Sequence, residues 1–507
     1  MTHARQGQTA LVSRRLAQTQ DPVALHEALA TDGAPLLFRR SGGRALILVD
    51  AALRFEAKGL EATLVAQSEG GTMLLDGIAR RLGAFVVERD ERRLKFSFPR
   101  CMADDEEARA AASTPLDVVR AMVFEAQPID RDDPFAAVVA GIVGFDHVDM
   151  VETLPPHAPG DFPDLLFLLA ETAIVIEAAG AARVIAMAVG SDEETIAHRQ
   201  HHLAAERLAR LVERSARVRA PSVAIPRPDA GAATADLDDD EFASCVGQLK
   251  EHIAAGDIFQ AVVSRAFRTP CDDPLGAFRR LVAADPSAYH YAFDSGYGHL
   301  IGASPESAVE VERDGDRLKV VVSPIAGTRP RGATADEDGR HEADLRLDAK
   351  EVAEHMMLVD LARNDVSRVA TEGTRRVARL LDVERFARVM HLVSRVEGKL
   401  KAGKDAIDAI RACLNVGTLS GAPKLRAIEL IRSVEGSARG PYGGAIGWIC
   451  GDGTMDSAVI IRSALVRDGI AEVRAGAGVV AGSVPLDEAR ETSAKARAVL
   501  EALGVAA

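Results

Sequence analysis

The stretch Glu351–Asp365, EVAEHMMLVDLARND, carries two carboxylates one helical turn apart, Glu351 and Glu354. Residues three apart on a helix project from the same side. Glu488 and Glu491 repeat that spacing in LDEARETSAKARAVLEAL, which also reads as a helix. Either pair alone is most simply a solvated helix face. Two such pairs meeting across a cleft would make an all-oxygen site. That donor set suits Mg²⁺, which takes one or two carboxylates, keeps several waters and leaves room for a substrate oxygen.

Other groups add to this chemistry. His391 lies in the alternating, strand-like RFARVMHLVSRV. A single histidine in a strand is commonly a satisfied core residue, yet its unperturbed pKa allows proton donation near neutral pH. Arg462 stands in the apolar, alternating MDSAVIIRSALV with no carboxylate beside it in sequence. A structural ion pair would satisfy it, and so would a ligand carboxylate held by the guanidinium fork. Three small-residue segments offer hydrogen-bond donors with little side chain in the way. VVVSPIAGTRPRG holds Gly327 and Thr328, NVGTLSGAPK places Thr418 before a helix, and AGAGVV holds Gly476, Ala477 and Gly478. Tyr442 precedes a glycine pair in PYGGAIGWI, and Glu306 stands at the bend of GASPESAVEVE. No GxGxxG fingerprint or P-loop is present. Together these residues are compatible with a Mg²⁺-dependent enzyme acting on a small polycarboxylate.

The elements that must position them come from a chain of 507 residues, 47% hydrophobic, 4% aromatic, with a net charge of −14. That length provides for more than one domain and a large core. The acidic balance argues against nucleic acid or an anionic membrane as the main partner. Cys101, Cys245, Cys271, Cys413 and Cys450 are scattered and form no CxxC, as expected of free thiols in a reducing compartment. The N-terminal MTHARQGQTALVSRRLAQ lacks the apolar core of a secretory signal. The most apolar stretch, Leu165–Gly190, is broken by Glu171, Glu177 and Arg183, so it reads as paired buried strands rather than a membrane span. A soluble, cytoplasmic protein is expected.

Helices are expected at Pro22–Ala30, Gly71–Leu82 and Pro115–Phe124, and strands at Ala45–Asp50, Ala62–Gln67, Lys95–Phe98 and Phe135–Asp146. Helix and strand mix without regular βαβ alternation, which favours an α+β fold. The Pro-, Ala- and Asp-rich stretch Arg219–Asp240 is the expected linker, dividing the chain into 1–235 and 236–507.

Taken in order, these segments resemble the large, synthase subunits of the anthranilate synthases, within the family of chorismate-utilising enzymes. The resemblance runs through nearly all of Gln248–Ala498. It is carried by IFQ…SRAF, GASPES, PIAGTRPRG, HMMLVDLARND, VMHLVSRV, GTLSGAPK, YGGAIG, IIRSAL and AGAGVV, and more loosely by LILVDAALR, GIVGFD and PDLLFLLAET in the N-terminal half. It implies large mixed and antiparallel sheets packed with helices. Residues 1–235 would be regulatory and partner-facing, and residues 236–507 the chorismate-binding catalytic domain. By resemblance, Glu354 and Glu491 hold Mg²⁺, and Glu351 and Glu488 assist through water. Gly327, Thr328, Tyr442, Arg462 and the Gly476–Ala477–Gly478 backbone bind chorismate. His391 is the general acid for the departing C4 hydroxyl, Glu306 the proton acceptor from the incoming nitrogen, and Thr418 a hydroxyl beside the ring. The implied reaction turns chorismate and ammonia into anthranilate and pyruvate, a step of tryptophan biosynthesis.

Two positions discriminate among relatives. Gln260 stands where the water-adding members have a lysine base, which favours ammonia as nucleophile. Ala326, in PIAGT, stands where many aminodeoxychorismate synthases have lysine, which favours amination at C2. No GxCxG nucleophile elbow is present. Ammonia drawn from glutamine therefore implies a separate amidotransferase subunit and a hetero-oligomer. Tryptophan-inhibited members resemble LLES near residue 40 and NPSPYMF near residue 290. Here the chain reads LLFRR (Leu36–Arg40) and DPSAYHYAF (Asp285–Phe293), so weak or absent tryptophan feedback is expected. Two alternatives stay open: a 2-amino-2-deoxyisochorismate synthase, which stops before pyruvate loss, and a non-catalytic binding subunit that keeps the fold.

Overall fold

In the computed structural model, which describes residues 4–17, 21–30, 33–103, 105–124, 126–129, 133–218, 228–386 and 389–506, apolar alternation builds long antiparallel strands in both halves of the chain. The N-terminal half contributes β1 (Leu36–Arg40), β2 (Ala45–Lys58), β3 (Val138–Val143) and β4 (Leu165–Ile176). β1 pairs with β2, β2 with β4, and β4 with β3. Every residue of β4 is buried, as its nearly continuous apolar run requires, and buried Glu171 is matched by Arg207 at 3.0 Å.

β2 runs well past the Asp50 end expected for it. Register shifts between Leu48 and Leu53 leave Asp50 exposed while the strand continues along β4. The segment Phe135–Asp146, expected to be one strand, keeps only β3, with 3₁₀ turns at Pro134–Ala136 and Phe145–Met150. Asp133 caps the first turn, accepting from the Phe135 N–H.

The C-terminal half supplies β5 (Gln260–Pro270), β6 (Tyr289–Asp294), β7 (His299–Ser304), β8 (Ile325–Pro330), β9 (Val389–Lys399), β10 (Ala445–Cys450), β11 (Met455–Val459), β12 (Ser463–Arg467) and β13 (Ile470–Val479). Antiparallel pairing runs β6–β7–β12–β13–β5. The halves are joined by strand pairing, β1 to β6 and β3 to β10. Helices lie against these sheets, which is the α+β architecture expected. Of the expected linker, residues 219–227 lie outside the described residues. Among the described residues no helix is long and apolar enough to cross a membrane.

Four helices position the functional side chains: α1 (Ala349–Val369), α2 (Ala406–Cys413), α3 (Lys424–Glu435) and α4 (Pro485–Leu503). Asp348 caps α1 by accepting from the N–H groups of Lys350 and Glu351. Its buried stripe, His355, Leu358, Val359, Ala362, Asp365, Val366 and Val369, recurs every three or four residues. Met356, although apolar, is 39% exposed and lies off that stripe. α4 begins with Pro485 at its first turn and ends at Gly504, whose φ of +106° suits glycine.

Candidate active site

β8 and β9 pair with one residue to spare. Ala326 faces Leu392 and Thr328 faces His391, so Gly327 bulges out of the ladder with φ +70°. A Cβ there would lie 3.0 Å from Leu345 and 3.3 Å from Glu351 Oε2. The bulge aims the Gly327 carbonyl at His391 Nδ1, 2.9 Å away, and Thr328 Oγ1 lies 3.1 Å from the same nitrogen. A carbonyl only accepts, so Nδ1 carries the proton and Nε2 is the free nitrogen of the neutral ring. Phe386 packs edge-on against the imidazole. Burial lowers the His391 pKa, and the charges of Arg462 and Lys495 lower it further against the Gly327 hydrogen bond.

This histidine lines a cavity of about 590 Å³. α1 and α4 bring both carboxylate pairs to it: Glu351, Glu354, Glu488 and Glu491 all line the wall. α4 is held in place by Arg265, a fully buried guanidinium that donates to Thr492 Oγ1 (2.8 Å), to the Ala489 carbonyl (2.9 Å) and to Asp239 (2.8 Å). Burial raises the Glu354 pKa, and the charges of Glu351, Glu488 and Glu491 push the same way. Glu354 Oε1 is buried without a hydrogen-bond partner. Lys350 approaches Glu354 to 3.7 Å, and Lys495 sits 2.7 Å from Glu491. Among the described residues no three of these four carboxylates bring oxygens within 4.8 Å of one another, so their donor chemistry suits a divalent cation that takes one or two carboxylates and keeps its waters.

Arg462 and Tyr442 form another part of the wall. The sequence reads Arg462 as part of one alternating strand, whereas the chain breaks after β11 and Arg462 has φ +49°. Within the break the Ile461 N–H turns back to the Val459 carbonyl. A left-handed non-glycine residue costs about 1 kcal/mol. Among the described residues Arg462 makes no ion pair, although Asp285 and Glu491 are near enough to act on its charge. A cation without a counter-ion beside a cavity is ready for a ligand carboxylate.

Gly476 and Gly478 also line the cavity, while the Ala477 side chain turns the other way, into the core with Val263 and Phe242. The period of two in β13 imposes that alternation. A Cβ on Gly476 would meet Tyr442 Oη at 2.9 Å and the Val263 carbonyl at 2.8 Å. One on Gly478 would meet Gln260 Nε2 at 3.0 Å.

Glu306 is 8% exposed, and Thr418 Oγ1 donates to its Oε1 at 2.7 Å. Burial pushes the Glu306 carboxyl up to about 7, while the Thr418 hydrogen bond and the Lys495 charge hold it down. The loop that carries Thr418 is fixed from below by a buried pair. Arg439 donates to Glu435, to the Leu419 carbonyl (2.7 Å) and to the Val262 carbonyl (2.6 Å).

Sequence reasoning missed Lys495, whose Nζ bridges the Gly476 carbonyl (3.0 Å) and Glu491. Its position four residues after Glu491 was the available signal. Arg474 was missed as well. It lines the cavity and donates to Ser264 and Ser437. Among the described residues, one set of three acidic or histidine ligand atoms lies within 4.8 Å of one another: Asp146, Asp149 and His157. Those residues do not line the cavity, and Arg432 already bridges the two aspartates at 2.8 and 2.9 Å.

Comparison with known proteins gives a consistent picture. The family described as chorismate binding enzyme matches residues 85–501. An anthranilate synthase component 1 from Vibrio cholerae is 41% identical over 96% of this chain and 95% of its own. A pyocyanine-specific anthranilate synthase component 1 from Pseudomonas aeruginosa is 42% identical over 92% of this chain and 88% of its own. The crystal structure of anthranilate synthase component I from Streptococcus pneumoniae superposes with a TM-score of 0.71 at 28% identity, covering 90% of this chain and 92% of that one.

Proposed function

The chain belongs to the chorismate binding enzyme family, and from that premise we propose that it is the synthase component of an anthranilate synthase. The reaction is chorismate plus ammonia to anthranilate, pyruvate and water. The observation that carries this reading is a single cavity joining two carboxylate pairs, His391 and an Arg462 that makes no ion pair among the described residues.

In this reading the Arg462 fork, the Tyr442 hydroxyl and the glycine backbone at Gly476 and Gly478 hold the substrate's side-chain carboxylate. Gly327 and Thr328 border the ring and orient His391. Ammonia adds at C2, the ring double bonds shift, and the C4–O bond breaks. The departing oxygen takes a proton from His391 and leaves as water. Glu306, oriented by Thr418, accepts the proton released by the nitrogen. Loss of the C2 proton and cleavage of the C3–O bond then release pyruvate and leave the aromatic ring.

Glu354 and Glu491, with Glu351 and Glu488 behind them, would hold Mg²⁺, which when bound supplies charge stabilisation at the ring carboxylate. Substrate carboxylates beside Arg462 and Lys495 would offset the two charges that depress His391, raising its protonated fraction when it is needed.

The ammonia would come from a glutamine amidotransferase subunit on a separate chain. Tryptophan feedback would be weak or absent. Arg40, on β1, donates to Glu310 at 2.5 Å and lies over the Tyr289 ring, so a built-in cation stands between β1 and β6.

The test is purified chain with chorismate, Mg²⁺ and ammonium, following anthranilate fluorescence and pyruvate together. Equal yields of both support the proposal. Chorismate loss without pyruvate would instead mark a 2-amino-2-deoxyisochorismate synthase. Binding without turnover would mark a non-catalytic subunit.

A further inference from the structure

The period of two that puts Gly476 and Gly478 on one face of β13 puts Arg474 there as well, and this arginine lines the same cavity. It is only 5% exposed. A guanidinium at that depth is stable when its charge and its N–H groups are matched. Those of Arg474 are matched only in part. Nη1 donates to Ser264 Oγ at 3.2 Å and Nη2 to Ser437 Oγ at 2.6 Å, and both acceptors are neutral hydroxyls. The two carboxylates that approach it, Glu435 at 3.7 Å and Asp236 at 3.8 Å, stand beyond hydrogen-bond reach. Both are engaged elsewhere. Glu435 accepts from Arg439 and from the N–H and the hydroxyl of Ser264, and Asp236 accepts from the Ala266 N–H. Among the described residues the Arg474 Nε–H has no hydrogen-bond partner.

The neighbours show which end of the cavity this charge serves. Gly476 faces Ser264 across the ladder of β13 with β5. A Cβ on Gly476 would lie 3.2 Å from Ser264 Cβ and 2.9 Å from Tyr442 Oη. The serine that accepts from Arg474 and the tyrosine hydroxyl therefore flank one glycine. Burial pushes Tyr442 up to about 12, and the charges of Arg439, Arg474 and Arg462 oppose that rise. Arg474 and Arg462, both on the cavity wall, act on the same hydroxyl.

We propose that Arg474 is a second cation for the substrate's side-chain carboxylate, acting with Arg462 and Tyr442 at one end of the cavity; the inference rests on the chorismate reading above. No bond forms or breaks at Arg474. It selects for a ligand that carries a carboxylate at this end, because a neutral group there would leave the guanidinium buried and poorly compensated. Its part is in affinity rather than in the rate of the chemical steps.

The test is calorimetric binding of two aromatic probes to the full chain with Mg²⁺. One is a benzoate with a 1-carboxyvinyl ether at its 3-position. The other carries a plain vinyl ether there and so lacks the second carboxylate. Arg474→Gln should weaken the first probe about tenfold and the second less than about twofold, while Arg474→Lys should hold the first within about threefold of the parent chain. In turnover with ammonium, Arg474→Gln should raise KM for chorismate about tenfold with kcat within about threefold. Ser437 is partly exposed, and Ser437→Ala removes one bond that aims Arg474. It should weaken the first probe alone, about threefold, and it keeps the question open to measurement if Arg474→Gln fails to fold. Equal losses for both probes overturn the assignment, as does no loss in folded Arg474→Gln, or in Ser437→Ala where the former does not fold. A lysine variant as weak as the glutamine variant overturns it too, since charge would not be what matters. A parent chain that binds neither probe removes the chorismate site itself, and with it this assignment. One that binds the first probe tightly yet makes no anthranilate loses the proposed reaction and keeps Arg474 in its role.

Discussion

Thr418 Oγ1 donates to Glu306 Oε1 at 2.7 Å, on the wall of the large cavity. The hydroxyl stabilises the carboxylate form of a group that burial drives up to about 7. The folded pKa lies above the ordinary value of 4.5, so the charged form is disfavoured by the fold. Stability is fully present below the unfolded pKa and is lost as pH rises through about 7, by about 3 kcal/mol. Glu306→Gln should therefore melt higher than the parent chain at pH 8 while losing ammonium-dependent turnover. Thr418→Val removes the hydrogen bond and should carry the ammonium-dependent activity limb about one pH unit to the alkaline side. Thermal melting checks the first, and a pH profile of kcat/KM for ammonium checks the second. An unmoved limb in Thr418→Val would count against Glu306 as the base.

The neutral tautomer of His391 is fixed by the Gly327 carbonyl, and its pKa is lowered by burial and by Arg462 and Lys495. The free chain should hold this imidazole neutral at pH 7. Binding a dianionic substrate beside those two cations should raise the midpoint. Nuclear magnetic resonance titration of the imidazole, with and without chorismate under conditions that block turnover, reads the shift directly. His391→Asn should lower kcat by about 10²-fold or more with little change in chorismate affinity.

How much of this was legible in the sequence depends on how local each cause is. Glu351 with Glu354, and Glu488 with Glu491, are visible because one helical turn places each pair on a common side. Lys495 obeys the same period and was readable. The Gly327 bulge was not, because it exists only in the register between β8 and β9, and β9 lies some sixty residues on. The break at Arg462 was hidden for a similar reason. MDSAVIIRSALV alternates well enough for one strand, and the separate pairings of β11 with β10 and of β12 with β7 and β13 decide otherwise. Glu435 and Arg439 look like an ordinary surface pair four residues apart, yet both are buried beneath the Thr418 loop.

The two cavity glycines differ in what a methyl group would strike. At Gly476 it meets a backbone carbonyl at 2.8 Å and Tyr442 Oη at 2.9 Å. At Gly478 it meets the end of the Gln260 side chain at 3.0 Å, which is able to move. Gly476→Ala should raise KM for chorismate about tenfold or more, because either β13 or the tyrosine must shift. Gly478→Ala should change it less than about threefold. Steady-state kinetics on the two variants checks the ranking, and the reverse order would place the substrate carboxylate nearer Gln260 than Tyr442.

Arg40 makes the case for altered regulation. It pairs with Glu310 at 2.5 Å and lies 3.6 Å from Asp456, while Tyr289 donates to Asp456 at 3.0 Å. Burial, with the Glu310 charge, pushes the Asp456 carboxyl up to about 6, and Arg40 opposes the rise. The guanidinium is therefore part of a mostly buried cluster between β1 and β6. Tryptophan at micromolar concentration should leave activity unchanged. Arg40→Ser should lose about 2 kcal/mol of stability, discounted because the arginine side chain is 39% exposed. The loss should be largest at neutral and alkaline pH, where Asp456 is ionised and unpaired, and should shrink as pH falls through about 6. Thermal melting across pH measures this, and a tryptophan titration of the same variant asks whether removing the cation opens the pocket. Half-inhibition of the parent chain at micromolar tryptophan would show that Arg40 does not close it.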